Sequence, residues 1–328
     1  MTHTRNVAIA AAMLLGAGAV SAQTLKPVPA AKNSAWAQGK TPDGQPDMQG
    51  TWTNATNVPL QRPKELGNKE VFTPQEQVDF QAKAKGYAGD RANLPEAHYD
   101  LSQFGLDRSQ GKFALNLRTS IIMGPEGRIP AFTPEGQKRI AARAAAQKGH
   151  EADGPENRTL GERCIVNNAT GPPMMPAGYN NDLEIVQGPG YVVIMQEMIH
   201  DTRLISLDGR PHAPAEVRGY RGDSRGRWEG NTLVVDTTNF NGKTVFNRVP
   251  LTERLHVIER FTRTGPEAIS YQFTVEDPGT WEKPWTGEIV MGTAPGQIYE
   301  YACHEANRSL ENILSSARNN EKEAAAKK

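Results

Sequence analysis

From Asp182 onward, apolar and polar residues alternate with a period of two, interrupted at short intervals by turn residues. DLEIVQGPGYVVIMQEM is two such runs around Gly188-Pro189-Gly190, a hairpin signal. RLISL follows and ends at Asp208-Gly209. GRWEGNTLVVDTTNF turns at Glu229-Gly230-Asn231, RLHVIERFTRT ends at Gly265-Pro266, and AISYQFTVED, TGEIVMGT and IYEYAC complete the series. Side chains on a strand point alternately to its two faces, so each run presents one apolar face to a core. Runs spaced about 8–15 residues apart with turn chemistry between them read as a sandwich or barrel. Short turns between consecutive strands make an antiparallel, up-and-down, lipocalin-like barrel of about 8 strands the simplest solution. SIIMGP and QGTWTN are possible additional strands.

The rest of the chain is patterned differently. The segment from about 59 to 176 mixes short helices and loops and reads as a helical excursion from a single β-barrel domain over 46–328. Thr73, Pro74 and Glu76 form the opening of a capped helix, in which hydroxyl and carboxylate each take up an orphan backbone N–H. Thr133-Pro134 repeats that start, although Gly136 leaves its box incomplete, and Lys148-Gly149 marks the helix end. A charged tail, about 309–328, is helical in pattern. Residues 23–45 are rich in Ala, Pro, Lys and Gly and form a flexible leader.

The first 22 residues predict where the protein works. Arg5 precedes an apolar run from Val7 to Val20, and Val20 and Ala22 occupy the −3 and −1 positions of a cleavage site. This is the three-part pattern of a Sec-type signal peptide, and the run falls short of the ~20 residues of a membrane span. The mature chain is therefore expected in the periplasm or outside the cell, with no transmembrane segment. Loss of Arg5 leaves 36 Lys and Arg against 37 Asp and Glu. So even a balance gives no electrostatic footprint for nucleic acid. In an oxidising compartment, Cys164 and Cys303 read as a disulfide, with two buried thiols as the alternative.

The runs GDSRGRWEGNTLVVDTTNF, FTVEDPGTWEKPWTGEI and IYEYACHEAN, with PDMQGTWTN, GERC, Gly171-Pro172-Pro173 and LDGRPH, resemble a widespread family of exported bacterial proteins without an established function. The resemblance extends from about Pro46 to near the C-terminus and carries over no catalytic residue. Gly50-Thr51-Trp52 adds a softer resemblance to lipocalin-like barrels, which close their base with a Gly-x-Trp on the first strand.

Candidate chemistry concentrates in QEMIHDTRLISLDGRPH, which holds Glu197, His200, Asp201, Arg203 and His212. Tyr191, Val193, Met195 and Glu197 share one strand face. If that face points inward, Glu197 is a carboxylate in an apolar wall with a raised pKa, suited to general-base work. The alternative is a strand-end Glu pairing with Arg203. His256 is a further candidate base. His200, His212, His256 and His304 form a metal site only if the fold converges them, because no pair has tight ligand spacing. Tyr271, Tyr299 and Tyr301 suit a ligand cavity or an ordinary core. Trp281 and Trp285 stack a ring at the barrel mouth or cap the core. Arg225 clamps an anion or stiffens its loop by pairing with Asp223. The absence of a P-loop, a dinucleotide loop, a GxSxG elbow and a CxxC argues against nucleotide cofactors and thiol redox chemistry. Which other cofactor the protein uses, if any, stays open, as does its oligomeric state. The expectation is a secreted protein binding an apolar or aromatic small molecule. A cofactor-free or single-metal lyase, isomerase or hydrolase, and an envelope interaction protein, are the alternatives.

Overall fold

The computed structural model describes residues 36–80, 116–294 and 296–327. The predicted signal peptide and the first part of the leader lie outside the described residues. Of the leader, residues 36–45 make a turn held by Thr41, and Gln38 donates to Asp47 O at 3.2 Å. The first Thr-Pro start is a complete capping box: Thr73 N–H donates to Glu76 Oε2 at 2.8 Å, and Glu76 N–H donates to Thr73 Oγ1 at 3.3 Å.

The strands are β1 (Gly50–Thr53), β2 (Asp182–Gly188), β3 (Tyr191–Gln196), β4 (Thr202–Ser206), β5 (Asp223–Glu229), β6 (Thr232–Thr238), β7 (Val245–Phe246), β8 (Val249–Pro250), β9 (His256–Gly265), β10 (Ala268–Glu276) and β11 (Trp285–Thr293). Nine of them close a barrel in the order β1-β11-β10-β9-β6-β5-β4-β3-β2, and β7 and β8 form a separate hairpin. All neighbouring pairs are antiparallel except β4 and β5, which meet in parallel at Ser206 and Arg225.

The expected eight-strand, wholly antiparallel barrel is corrected on both points, and the corrections have one cause. QGTWTN supplies β1, which slots between β11 and β2 and makes the strand number odd. Strands cannot alternate direction all round an odd ring, so one parallel neighbour pair is forced. Parallel neighbours need a crossover connection, and residues 207–222 provide it. IYEYAC is not a strand; it runs as irregular chain after β11. SIIMGP makes a single bridge, Ile122 to Gly287, beside β11 where β1 stops short.

The lumen is a packed core. Val257, Glu259 and Phe261 of β9, Ile269, Tyr271, Phe273 and Val275 of β10, and Val192 and Ile194 of β3 are all buried. Removing each large apolar side chain from water contributes about 1.5–3 kcal/mol. Gly287 sits directly across from Phe273, and a Cβ there would overlap the Phe273 ring. Trp52 is 1% exposed and donates from Nε1 to Met48 O at 3.0 Å. The Arg263 guanidinium lies 5.1 Å from its ring centre and 5.9 Å from that of Trp36.

Helix α1 (Pro134–Gln147) starts at Thr133, whose Oγ1 accepts from Gly136 N at 3.0 Å. The missing acid at Gly136 has a packing reason: an added Cβ would stand 2.6 Å from Thr280 O. Gly136→Ala is therefore expected to lower the melting temperature. Overpacking costs about 1–3 kcal/mol against a propensity gain of about 1 kcal/mol. An unchanged or raised Tm would mean that α1 moves off Thr280 freely. Helix α2 (Ser309–Ala326) forms the tail and buries no residue. Among the described residues, no helix is long and apolar enough to cross a membrane.

Candidate functional site at the barrel rim

The tight turns at 189–190, 230–231 and 266–267 gather at one end of the barrel. The longer connections 197–201, 239–255 and 277–284 gather at the other, here called the rim. Loop 166–175 lies across the rim. Met174 is fully buried, and its N–H donates to Tyr271 Oη at 2.8 Å. Tyr271 Oη in turn donates to Glu259 Oε1 at 2.8 Å. Arg203 grips Glu259 with two bonds, 2.5 Å from Nη1 to Oε2 and 3.0 Å from Nη2 to Oε1. This column of polar groups inside the barrel ties β4, β9 and β10 to the plug loop. Burial first, and then the Glu259 charge, push the Tyr271 phenol well above its ordinary pKa, so it stays a donor.

The column corrects two expectations. Arg203 does not pair with Glu197; it is buried and locked to Glu259. The inward face of β3 is Val192, Ile194 and Gln196, whereas Tyr191 is exposed. Glu197 lies past the strand end, in the turn to β4. There its carboxyl is still raised above the ordinary range, by burial and by the nearby Asp182 charge, against bonds from Asn180 and from the Tyr299 backbone. Burial also raises Asp182, opposed by a bond from Thr53. A buried acid, Glu197, and a partly buried one, Asp182, therefore share the rim.

The disulfide holds this corner together. Cys164 and Cys303 are bonded across 139 residues of chain. The bridge brings the segment after β11 onto the rim, where His200 Nδ1 lies 2.7 Å from Tyr301 O. Asp201 pairs with Arg221, and Thr170 Oγ1 donates to Asp201 Oδ2 at 2.8 Å. Arg221 Nη2 also donates to Thr170 Oγ1 at 2.8 Å, and Gln196 Nε2 to Thr170 O. Thr170 is thus the hub that fixes the plug loop to the β3–β4 turn and to the crossover. Asn180, Ile199 and His200 all have positive φ here. Conformations of this kind in non-glycine residues persist only where the surroundings enforce them.

Beside the plug loop lies a small cleft, partly open to solvent. Val166, Asn167, Pro172 and Pro173 form one wall; Tyr220, Phe240, Phe246 and Leu251 form the other. Its walls are largely apolar, with a few amide and hydroxyl groups, which is the usual lining of a small-molecule site.

The other predicted residues are placed elsewhere. Tyr299 is 79% exposed and Tyr271 fully buried, so the three tyrosines do not line one cavity. Trp281 and Trp285 are buried edge-to-face at 5.4 Å and pack on Phe246, capping the core rather than stacking a solvent-borne ring. Arg225 pairs with Asp223 at 3.1 Å. His304 is exposed in the segment after β11. His256 and His212 are on the outer wall, joined through Asp236. Among the described residues, no three His, Cys, Asp or Glu side chains are disposed to hold a metal ion. The chain matches no protein-family model, no curated protein and no solved structure.

Sequence reasoning missed Asp182, Thr170, Tyr220 and Arg221. The last three lie in irregular chain, where no periodicity assigns a face. Asp182 opens β2, and its neighbour Glu197 is brought near by the hairpin register, in which Leu183 faces Gln196.

Proposed function

We propose that this is an exported small-molecule-binding protein whose ligand, compact and apolar or aromatic, sits in the rim cleft rather than in the lumen of the lipocalin-like barrel. The observation that carries this is the pairing of a filled lumen with an apolar cleft beside it, built from a plug loop that is anchored at Thr170, Met174 and the disulfide. A wall fixed in this way loses little conformational freedom on binding. The phenol of Tyr220 and the amides of Asn167 and Asn168 supply polar contacts that orient a ligand without demanding a charge.

The test is a fluorescence titration with 1-aminoanthracene. The wild type is expected to enhance and saturate the signal. Asn168→Trp, at an exposed lining position, is expected to weaken binding at least tenfold while leaving the melting temperature unchanged. That loss corresponds to roughly 1.4 kcal/mol. Equal binding by both proteins would remove the cleft from the reading.

A second reading, a cofactor-free enzyme at the same rim, is favoured by Glu197. A carboxyl raised by burial beside Asp182 is suited to act as a general base in lyase, isomerase or hydrolase chemistry. Carboxyl-carbon NMR is expected to show Glu197 titrating above the ordinary glutamate range of about 4.3. Titration at or below that value would withdraw the base. The envelope-interaction reading draws on the outer row Val186, Val193 and Leu204, paired across β2, β3 and β4, in which Leu204 is 63% exposed.

A further inference from the structure

Crossover 207–222 runs along the outside of the barrel and ends at Tyr220 and Arg221, which stand at the cleft and the rim. It is fastened midway. His212 Nδ1 lies 3.0 Å from Asp223 Oδ2 of β5, and His212 Nε2 lies 2.9 Å from Asp236 Oδ1 of β6. The second oxygen of Asp236 lies 3.0 Å from His256 Nε2 of β9, and His256 Nδ1 lies 3.2 Å from Glu276 Oε2 of β10. Five side chains thus form one acid–imidazole–acid–imidazole–acid chain across four strands and the crossover. Arg225 adds a bond to Asp223, and Ala213 N–H donates to the same Asp223 oxygen at 2.9 Å. Of the other charged groups of the crossover, Arg210 pairs with Asp208, Arg218 with Glu253 and Arg221 with Asp201, and Glu216 is exposed to solvent. On β9, Arg260 is paired with Glu229, and Arg254 just before the strand with Glu135.

We propose that this chain is a pH-sensitive latch that holds the crossover, and with it the Tyr220 wall of the cleft, against the barrel. A neutral imidazole has one N–H, so it can donate to only one of two carboxylates. Both ring nitrogens of both histidines face carboxylate oxygens, and the full set of four bonds therefore needs both rings doubly protonated. Losing a proton from His256 turns its bond to Asp236 or to Glu276 into a contact between two acceptors. A proton lost from His212 does the same to its bond with Asp223 or Asp236, and because these are the contacts that reach the crossover, its fastening weakens.

The direction with pH follows from the neighbours. The bond from His256 to Asp236, and the charges of Asp236 and Glu276, raise the imidazole pKa above its usual 6.5 against the opposing effect of burial. A group raised on folding stabilises fully below its unfolded pKa and loses that contribution as pH rises through its folded value. Burial alone would raise Asp236 and Asp223, but their histidine, arginine and backbone donors hold both below the ordinary 3.8. Their contributions are present above that value and fade as pH falls through the lowered one. The latch is therefore closed above the carboxylate range for as long as both rings keep two protons, and opens on the alkaline side. It acts whether or not the cleft takes a ligand.

The experiment is hydrogen exchange of the full mature chain, followed by mass spectrometry between pH 6 and 9 and corrected for the intrinsic exchange rate. Peptides over 207–222 are expected to lose protection roughly tenfold as pH rises from 6 to 9. Peptides from β9 and β10 stay constant. His212→Gln is expected to show the low level at every pH. A wild-type crossover with the same protection from pH 6 to 9 would overturn the latch, as would a variant that keeps the wild-type pH dependence. If the variant does not fold, titration of the imidazole Cε1 protons in the wild type decides between them. The absence of any imidazole titrating between pH 6 and 9 would also overturn the proposal.

Discussion

Glu259→Leu is expected to be the most destabilising single substitution in the barrel, costing about 3–5 kcal/mol. It leaves Arg203 charged in the lumen, with a guanidinium that is 4% exposed and has no other acid bonded to it. It also strands the Tyr271 hydroxyl, which donates to Glu259. Removing one partner of a buried pair leaves the full desolvation penalty of the other, whereas removing both can be close to neutral. The double variant Arg203→Met, Glu259→Leu should therefore recover most of the loss. Urea unfolding of the wild type, both single variants and the double variant measures this directly. Additive losses in the double variant would mean that the pair contributes through separate packing rather than through charge compensation.

The second large effect belongs to the disulfide. Replacing Cys164 and Cys303 by serine reopens a loop of 139 residues in the unfolded chain. In the chain-entropy description, closing a loop of this length stabilises by about 4–5 kcal/mol. The structure adds a local consequence. The bridge holds the segment that presents Tyr301 O to His200 and the Tyr299 backbone to Glu197. Reduction is expected to lower the urea midpoint and to loosen the rim before the barrel strands exchange. Equal midpoints for oxidised and reduced protein would mean that the rim holds itself without the bridge.

Most of the barrel was legible because period-two alternation survives wherever one face is buried. RLHVIERF places Leu255, Val257, Glu259 and Phe261 together, and all four face inward. Glu259 is thus the acid that interrupts an inward apolar face, while Glu197, singled out on that ground, follows a strand whose opposite parity faces in. The alternation of YVVIMQE is ambiguous because Val193 and Met195 are apolar on the outer face as well. QGTWTN was legible as a possible strand, but the odd strand number was not, because β1 is only four residues long and its place beside β11 is a matter of tertiary pairing. IYEYAC has the composition of a strand, but the disulfide at Cys303 carries it across the rim instead. The histidine latch combines an outward His256, readable from parity, with His212 on a long crossover, which no local pattern positions.

The most direct test of the account is native mass spectrometry of the oxidised protein alongside its denatured mass, for the wild type and Asn168→Trp. A binding protein with its ligand in the rim cleft predicts a native mass excess that disappears on denaturation and is absent from the variant. An excess of the same size in both proteins would contradict the cleft and place the ligand elsewhere. No excess in either, together with no 1-aminoanthracene binding, would contradict small-molecule binding itself.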